Sequence, residues 1–449
     1  MRTLLFFALI LTNAASAQPF RWWHIGVNVR LDTSVDPPIA TTGGCLNNLE
    51  GVASVSDNAG NFLFATDGLT VFNRNCVAMP NGTGLLGGTS STQSGIIVQN
   101  PAVSNLYYVF TVSQDATLPG VCYSEVDMNL AAGFGAVTAN KNVNLTPFAM
   151  SEKLTAVRHC NNVDIWVIAK RWNNNGFRAW LVSASGVDPV PVISAAGFSP
   201  SGVTQASFGQ LKSNPQGNKL LAAYYGLTGT TGNTAELYDF DNATGIVSNA
   251  VSLGTIAGAY GAEFSPNGEI AYVTTNQGRL IQYNTCTGVS TQIANVGPFF
   301  GSMQLTQHGN ILIAKGTASR LACIRNPNNL GVACNFTDNY ITLPAASRMG
   351  LPNFVPYYFR PPTPMFTYNQ LNCSLYEFEL PMATVGCNSP SFASHTWEYL
   401  NSTSGAVNPI VNFPSGSHTV TLNLNFPCYT ETQTISLTSS QINGLISGW

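Results

Sequence analysis

Short apolar runs separated by turn residues recur along most of the chain. Between residues 45 and 345, an apolar strand, a turn rich in Asn, Gly or Pro, and a second apolar strand are followed by two further strands of alternating polarity. The second strands of this unit are 62–65, 106–110, 164–168, 219–222, 270–273 and 310–313. Short apolar or alternating runs between turn residues are typical of β-strands. The pattern therefore predicts an all-β protein.

The spacing of the turns predicts how the strands are grouped. The turn markers of the six units are Gly60, Asn105, Asn162, Gly217, Gly268 and Gly309, which lie 45, 57, 55, 51 and 41 residues apart. This is the range of four-stranded propeller blades. Such units must stack to bury both faces, and a closed ring removes the exposed ends. We predict a seven-bladed β-propeller over 18–360, with the seventh blade built from 22–26 and 349–359, although six or eight blades also fit.

The chain changes character after the predicted propeller. Residues 361–364 are a Pro-rich stretch that indicates a short stiff linker, and no Lys, Arg or Asp follows it. The runs 375–380, 395–400, 418–424 and 432–437 alternate like sandwich strands, with Trp397 as a core aromatic. We therefore expect a small immunoglobulin-like β-sandwich over 365–440 and a tail over 441–449.

The first residues and the cysteines indicate export. Residues 1–17 combine a positive start, an apolar run over 4–11 and a small-residue cleavage site, which is typical of a signal peptide. The apolar run is too short to span a bilayer, and no later stretch is long enough. The protein is thus expected to be secreted or to lie at the cell surface, where its ten cysteines favour disulfides. The candidate pairs are Cys45 with Cys76 and Cys323 with Cys334.

Composition excludes several functional classes. Only 9% of residues are charged, the net charge is −3, and no basic footprint for nucleic acid is present. No nucleophile elbow, zinc motif or phosphate-binding loop occurs, so we predict neither a cofactor nor a metal site. The stretch 239–245 alternates carboxylate and amide oxygens, as a calcium loop does, but an Asx-type turn explains it better.

Polar residues at matching places in the repeats suggest a binding site. Gln210, Glu263 and Gln304 each directly precede the apolar residue that leads into a blade turn. We predict that they line one mouth of the central channel, together with four residues from other blades and a candidate base. These five residues are Glu50, Asp67, Glu152, Lys153 and His159. The alternative is that the polar side chains bond backbone groups between blades and that His159 ends a strand.

Aromatic residues suggest a second kind of contact. Most of the Trp and Tyr side chains are expected to fill the interfaces between blades. Trp172 lies in a polar loop and is the candidate for stacking on a sugar.

Several stretches resemble a family of exported Bacteroidetes surface proteins. In these proteins a propeller precedes PKD-type immunoglobulin-like modules, often with a gliding-motility or type IX secretion sorting domain. The matching stretches are 49–51, 64–68, 79–87, 91–94, 105–112, 151–157, 238–245 and 350–354, with a looser match of 365–440 to a PKD-type module. No sorting domain is expected at 446–449. The resemblance implies a surface location and a binding or motility-associated role, without an established catalytic set.

Taken together, these patterns predict a binding or adhesion protein that recognises a glycan or a surface protein through one face of the propeller. One alternative is a propeller hydrolase, lactonase-like or glycosidase-like, that uses carboxylates at the channel mouth. A purely structural surface component is the second alternative.

Overall fold

A computed structural model describes residues 18–226, 233–297, 299–359, 365–381, 393–426 and 430–440. Nearly all regular structure within these ranges is antiparallel strand arranged in nine sheets, which confirms the all-β prediction. The helices are short 3-10 turns at Gln114–Ala116, Ala131–Gly133, Thr204–Ser207, Gly331–Cys334 and Pro356–Phe359. The predicted signal peptide, linker and tail lie outside the described residues.

The first three sheets follow one another along the chain. Sheet 1 contains β1 (Trp22–Ile25), β2 (Val27–Asp32) and β3 (Ile39–Asn47). Sheet 2 contains β4 (Ala53–Ser56), β5 (Phe62–Thr66), β6 (Thr70–Asn73) and β7 (Ala78–Thr83). Sheet 3 contains β8 (Gly95–Gln99), β9 (Leu106–Val112), β10 (Val121–Asp127), β11 (Ala136–Val137) and β12 (Val143–Asn144).

Four more sheets continue the same order. Sheet 4 contains β13 (Met150–Arg158), β14 (Ile165–Arg171), β15 (Gly176–Ser183), β16 (Gly186–Val187) and β17 (Val192–Ala195). Sheet 5 contains β18 (Leu211–Ser213), β19 (Lys219–Tyr224), β20 (Thr234–Asp241) and β21 (Ile246–Thr255). Sheet 6 contains β22 (Ala259–Phe264), β23 (Ile270–Thr275), β24 (Arg279–Asn284) and β25 (Ser290–Asn295). Sheet 7 contains β26 (Met303–Leu305), β27 (Ile311–Ile313), β28 (Arg320–Ile324) and β29 (Phe336–Thr342).

The six predicted second strands coincide with β5, β9, β14, β19, β23 and β27, the second strands of sheets 2 to 7. The prediction for the N-terminal strand was wrong, because β1 belongs to a sheet of its own with β2 and β3. Strand β3 contains two glycines and five exposed residues, so it gave only a weak apolar signal. The segment 349–359 adds no strand to that sheet, and prolines at positions 352 and 356 have no N–H to donate to a ladder.

The first strand of each of these seven sheets faces the first strands of its neighbours. We call β1, β4, β8, β13, β18, β22 and β26 the inner strands, because each contacts the next in chain order. The last sheet also reaches the first: the N–H of Val27 donates to the Ala346 carbonyl at 3.1 Å, and Gln307 donates to the Thr33 carbonyl at 2.5 Å. One apolar cluster spans sheets 1 and 7 and includes the fully buried Trp23 and Ile311.

Residues 349–359, the return segment, run among the inner strands. Pro352 forms a parallel bridge with Val52, and the Asn353 side-chain amide donates to the Leu154 carbonyl at 2.6 Å. Val355 packs with the core of sheets 3 and 4, whereas the Phe354 ring lies 5.7 Å from Trp23 of sheet 1. The space between the inner strands of sheets 1 to 4 is therefore filled by this segment.

The C-terminal described residues form two further sheets. Sheet 8 contains β30 (Thr367–Gln370), β31 (Leu375–Glu379) and β34 (Ile410–Asn412). Sheet 9 contains β32 (Ser394–Tyr399), β33 (Ser402–Ser404), β35 (Gly416–Asn425) and β36 (Thr430–Ser439). They share one apolar core around Trp397, which is fully buried and donates from Nε1 to the Ala406 carbonyl at 2.9 Å. The predicted role of Trp397 as a core aromatic is thus confirmed.

Candidate functional site

The polar side chains on the inner strands join neighbouring sheets. Gln210 precedes β18 and is 2% exposed. Its Oε1 accepts the N–H groups of Ala262, at 3.1 Å, and Met303, at 2.8 Å. The side-chain amide of Gln210, which leads into sheet 5, therefore bonds the inner strands of both sheet 6 and sheet 7. This geometry matches the alternative interpretation, in which polar side chains bond backbone groups between sheets.

Glu263 and Gln304 belong to the same buried network. The Lys212 ammonium lies 3.6 Å from Glu263 Oε2 and donates to Gln304 Oε1 at 2.5 Å. Glu263 also accepts the Leu305 N–H at 3.1 Å. The side chains of Lys212, Glu263 and Gln304 are at most 1% exposed, so none of them lines an open mouth. The prediction that Gln210, Glu263 and Gln304 form a channel-mouth site was wrong because these side chains are consumed in holding the sheets together.

Gln93 has a matching role that sequence reasoning missed. Its Oε1 accepts the N–H groups of Leu154, at 3.1 Å, and Leu211, at 2.7 Å. Its Nε2 donates to the Leu211 carbonyl at 3.0 Å, so sheet 3 is joined to sheets 4 and 5. The position of Gln93 just before β8 resembles that of Gln210 before β18, and this was the signal available in the sequence.

A different group of residues meets where the inner strands begin, which we call the entry end. Its centre is Glu152, near the start of β13 and fully buried. Glu152 Oε2 accepts the Thr92 N–H at 2.8 Å and the Thr92 hydroxyl at 2.9 Å, and Oε1 accepts the Asp115 N–H at 2.7 Å. Burial raises the pKa of Glu152 to about 7 even though these bonds favour the carboxylate.

Glu50 is the second carboxylate at the entry end. It precedes β4 and is partly exposed. Burial, followed by the negative charge of Glu152, raises the pKa of Glu50 to about 8. The Tyr260 hydroxyl of β22 faces both carboxylates, and their charges contribute to raising its pKa. The structure places Glu50 and Glu152 near each other and adds Tyr260, Thr92 and Asp115, which the sequence did not reveal.

Lys153 makes its hydrogen bonds to backbone carbonyls, and its positive charge also lowers the pKa of Glu152. Its ammonium donates to the carbonyls of Ser207, Phe208 and Gly209 at 3.0, 2.7 and 3.1 Å. It also lies 4.7 Å from the centre of the Tyr224 ring. Burial lowers the pKa of Lys153, and all three donors are used within the protein. The prediction that Lys153 lies at the channel mouth is therefore corrected: Lys153 is buried and joins sheet 4 to the segment that leads into sheet 5.

Two other predicted site residues serve local structure. Asp67 Oδ1 accepts the N–H groups of Leu69 and Thr70 at 2.9 and 2.8 Å, which closes the turn between β5 and β6. His159 follows the last residue of β13, so it lies at the opposite end of that strand from Glu152. Seven residues of strand separate the two by roughly 20 Å. The predicted grouping of His159 with Glu152 and Lys153 was therefore wrong, and His159 is a strand-end residue.

Trp172 follows β14, whose last residue pairs with the first residue of β13. It is therefore close to the entry end, where its backbone N–H donates to the Ala149 carbonyl at 3.3 Å. The side chain is half-buried rather than fully exposed. Its indole remains the candidate aromatic contact on this side of the molecule.

Of the two predicted cysteine pairs, one forms a disulfide and the other does not. Cys45 and Cys76, which are separated by 31 positions in the sequence, form a disulfide, as predicted. Cys323 and Cys334 are both buried free thiols, which corrects the second prediction. Cys323 lies in the apolar core on β28, whereas the Cys334 thiol faces the Tyr272 hydroxyl. The turn 326–329 is closed instead by backbone bonds, including Asn329 N–H to the Asn326 carbonyl at 3.0 Å.

The Cys45–Cys76 disulfide also bears on metal binding, because its sulfurs belong to a group of side chains that is close enough to share an ion. Among the residues that the structure describes, one group of three His, Cys, Asp or Glu side chains is close enough to share an ion, namely His24, Cys45 and Cys76. Both sulfurs of this group are committed to the disulfide. Burial, and to a lesser extent the charge of Arg30, lowers the pKa of His24 to about 3, so the imidazole is neutral at physiological pH.

None of the helices in the described ranges has the length and apolar character needed to cross a bilayer.

No protein-family model and no curated protein sequence matches the chain. Among solved structures, hydrazine synthase of Kuenenia stuttgartiensis aligns over 90% of this chain and 99% of its own, with 10% identity and a TM-score of 0.42. Hsv2 of Kluyveromyces lactis aligns over 69% and 90%, with 7% identity and a TM-score of 0.41. Apo AztD of Citrobacter koseri aligns over 75% and 87%, with 10% identity and a TM-score of 0.39. Likenesses this distant carry no argument about function.

Proposed function

We propose that the protein is an exported binding protein, built as a seven-bladed β-propeller over 18–360, a linker over 361–364 and a PKD-type immunoglobulin-like sandwich over 365–440. The succession of seven sheets with adjoining inner strands, and the contacts between sheets 1 and 7, support the propeller. The sandwich assignment is supported by two sheets that share the core around Trp397. The Cys45–Cys76 disulfide is in keeping with an oxidising compartment.

The proposed ligand is a glycan, bound at the entry end. The single observation that carries this proposal is the carboxylate pair, in which the partly exposed Glu50 stands beside the buried Glu152. With a pKa raised to about 8, the Glu50 carboxyl is largely protonated at neutral pH, so it can both donate to and accept from sugar hydroxyls. Trp172 on the same side of sheet 4 supplies an apolar face for a sugar ring.

Binding explains this geometry better than hydrolysis does. A glycosidase needs two carboxyl groups that both reach the scissile bond. Glu152 is fully buried and held by three hydrogen bonds, so it cannot serve as the second reacting carboxyl group beside Glu50. The raised pKa of Glu50 would suit a general acid, which keeps a propeller hydrolase as the second candidate function.

A glycan array with parallel measurement of released reducing ends tests both candidates. We expect binding without hydrolysis. Substitution Glu50→Gln or Trp172→Ala should weaken binding about tenfold, because each removes about 1.5 kcal/mol of contact energy. Glu398→Gln on the exposed part of β32 is the matched control and should bind like the unmodified chain.

Two results would decide against the proposal. Release of reducing ends that is lost in Glu50→Gln would establish the hydrolase instead. Absence of binding to every glycan would leave a structural surface component as the function.

A further inference from the structure

Several buried oxygen atoms at the entry end have no hydrogen-bond partner among the described residues. They are Asn48 Oδ1, Ser91 Oγ and Ser207 Oγ, and the three side chains are at most 4% exposed. An unpaired buried polar group is destabilising, so three of them on the segments that enter neighbouring inner strands call for a common physical reason.

Hydrogen bonds hold these groups around the carboxylate pair. The Asn48 amide donates to the Glu50 carbonyl, and the Gly51 N–H donates to the Ser91 carbonyl at 2.9 Å. These bonds place Asn48 and Ser91 next to the backbone of residues 50 and 51. The entries to β4 and β8 are thereby joined.

The same arrangement continues into sheets 4, 5 and 6. Thr92, next to Ser91, donates to Glu152 and accepts the Gly209 N–H at 3.1 Å. The Gln210 N–H donates to the Tyr260 carbonyl at 2.8 Å. The starts of five inner strands therefore converge on one place, with Tyr260 facing both Glu50 and Glu152.

The chemistry of this place is that of a hard cation site. Its free donors are all oxygens, and the carboxylates of Glu50, Glu152 and Asp115 interact there. The nearby Lys153 directs its three N–H bonds to carbonyls of 207–209. Three hydrogen bonds occupy three of the roughly four acceptor sites of the Glu152 carboxylate, which leaves one on Oε1.

We propose that the entry end binds a Ca²⁺ ion through the carboxylates of Glu50 and Glu152 and the Oδ1 of Asn48, with the hydroxyls of Ser91 and Ser207 bonding its water ligands. Calcium accepts six to eight oxygens in flexible geometry, including neutral amides and water, whereas Mg²⁺ requires a strict octahedron. The mixed donors, supplied by several sheets, therefore favour Ca²⁺. The site goes beyond the proposed glycan function and does not depend on it.

Calcium binding is tested on the full chain in the absence of any glycan. After treatment with EGTA and its removal, CaCl₂ is titrated into the protein at pH 8 by isothermal calorimetry, and the melting temperature is recorded with CaCl₂ or MgCl₂. We expect saturable heat with Ca²⁺ at one site per chain and a higher melting temperature with Ca²⁺ than with Mg²⁺, because binding only to the folded state stabilises it.

Variants identify the ligands. Glu50→Gln should weaken Ca²⁺ affinity by about tenfold or more, by analogy with the loss of supporting residues at metal sites. It should keep the melting temperature of the calcium-free unmodified chain or exceed it, because the like charge beside Glu152 is removed. Glu398→Gln is the control and should bind Ca²⁺ normally. Glu152→Gln should also lose affinity, but Glu50→Gln carries the test because Glu152 is fully buried and its variant risks misfolding.

No heat and no thermal shift with the unmodified chain would overturn the site, as would unchanged affinity in Glu50→Gln. An equal response to Mg²⁺ would overturn the choice of Ca²⁺. A chain that binds Ca²⁺ but no glycan would contradict the proposed function while leaving the metal site standing.

Discussion

The Lys212 ammonium and the Glu263 carboxylate face each other across neighbouring inner strands at 3.6 Å, with neither side chain more than 1% exposed. The pair lies beside Gln304, whose Oε1 accepts from Lys212 at 2.5 Å. Buried ion pairs contribute little net stability when both partners are present, but they make the loss of one partner expensive.

Substitution Glu263→Gln is therefore expected to lower the free energy of unfolding by about 3–5 kcal/mol at pH 7, because it leaves a buried ammonium without its counter-charge. The double variant Lys212→Met with Glu263→Gln should lose less than the sum of the single variants. The measurement is urea unfolding followed by tryptophan fluorescence.

The half-exposed pair of Lys219 and Asp239 provides the comparison for Glu263→Gln. Asp239→Asn should cost about 1 kcal/mol or less. Equal losses for Glu263→Gln and Asp239→Asn would contradict the assignment of Glu263 to the buried network.

Replacement of Gln93 by leucine tests the bonds that join sheets 3, 4 and 5. The change leaves the N–H groups of Leu154 and Leu211 unpaired, at a cost of about 1–3 kcal/mol each. Hydrogen exchange at these two amides should accelerate along with the loss of stability. Gln292→Leu on the exposed outer strand β25 is the matched control and should change the unfolding midpoint only slightly. Unchanged exchange at Leu154 and Leu211 would refute the proposed role.

Removal of the Cys45–Cys76 disulfide should destabilise the protein through the unfolded state. In the chain-entropy description, closing a loop with a sequence separation of 31 contributes about 3–4 kcal/mol. The double variant Cys45→Ser with Cys76→Ser is expected to lose this amount in urea unfolding. Cys373→Ser removes a free, partly buried thiol and should be close to neutral. A double variant as stable as Cys373→Ser would show that the bond does not constrain the chain.

The carboxylate pair at the entry end predicts an unusual pH dependence of stability in calcium-free buffer. The pKa values of Glu50 and Glu152 in the folded protein, about 8 and about 7, lie above the value near 4.5 expected in the unfolded chain. Between these limits the folded state holds more protons than the unfolded state, so the contribution of the pair to stability is complete below pH 4.5 and is lost as the pH rises towards 8.

The unfolding midpoint in urea, measured from pH 5 to pH 8, should therefore fall less with pH in Glu50→Gln than in the unmodified chain. Glu398→Gln should keep the original slope. If Glu50→Gln also kept that slope, Glu50 would not carry a raised pKa.

The strand repeat was accessible from the sequence because local signals encode it. The apolar runs and the glycine or asparagine turns located the second strands of sheets 2 to 7. Sheet 1 was not recognised because β3 is glycine-containing and largely exposed. The return segment could not be foreseen either, since its place depends on contacts with strands far away in the chain, such as the bond from Asn353 to Leu154.

In the candidate site, too, some features could be predicted from the sequence and others depend on contacts between distant parts of the chain. The sequence predicts Glu50 and Glu152 at one channel mouth together with Asp67, Lys153 and His159, and of these the structure places only Glu50 beside Glu152 in the carboxylate pair. Sequence gave no means of seeing that Gln210 and Glu263, at matching repeat positions, bond backbone groups instead of a ligand. That outcome depends on the distance between inner strands, which no local pattern records. Tyr260 was missed because a tyrosine in an apolar strand is typical of an interface between sheets.

The return segment also sets an order for the completion of the fold. The inner strands of sheets 1 to 4 are synthesised early, yet the residues that fill the space between them belong to 349–359. Until that stretch has left the ribosome, the first four sheets lack part of their own core and expose apolar surface, a state prone to aggregation. The protein is consequently poorly suited to folding during synthesis, since sheets 1 to 4 cannot complete their core before residues 349–359 arrive.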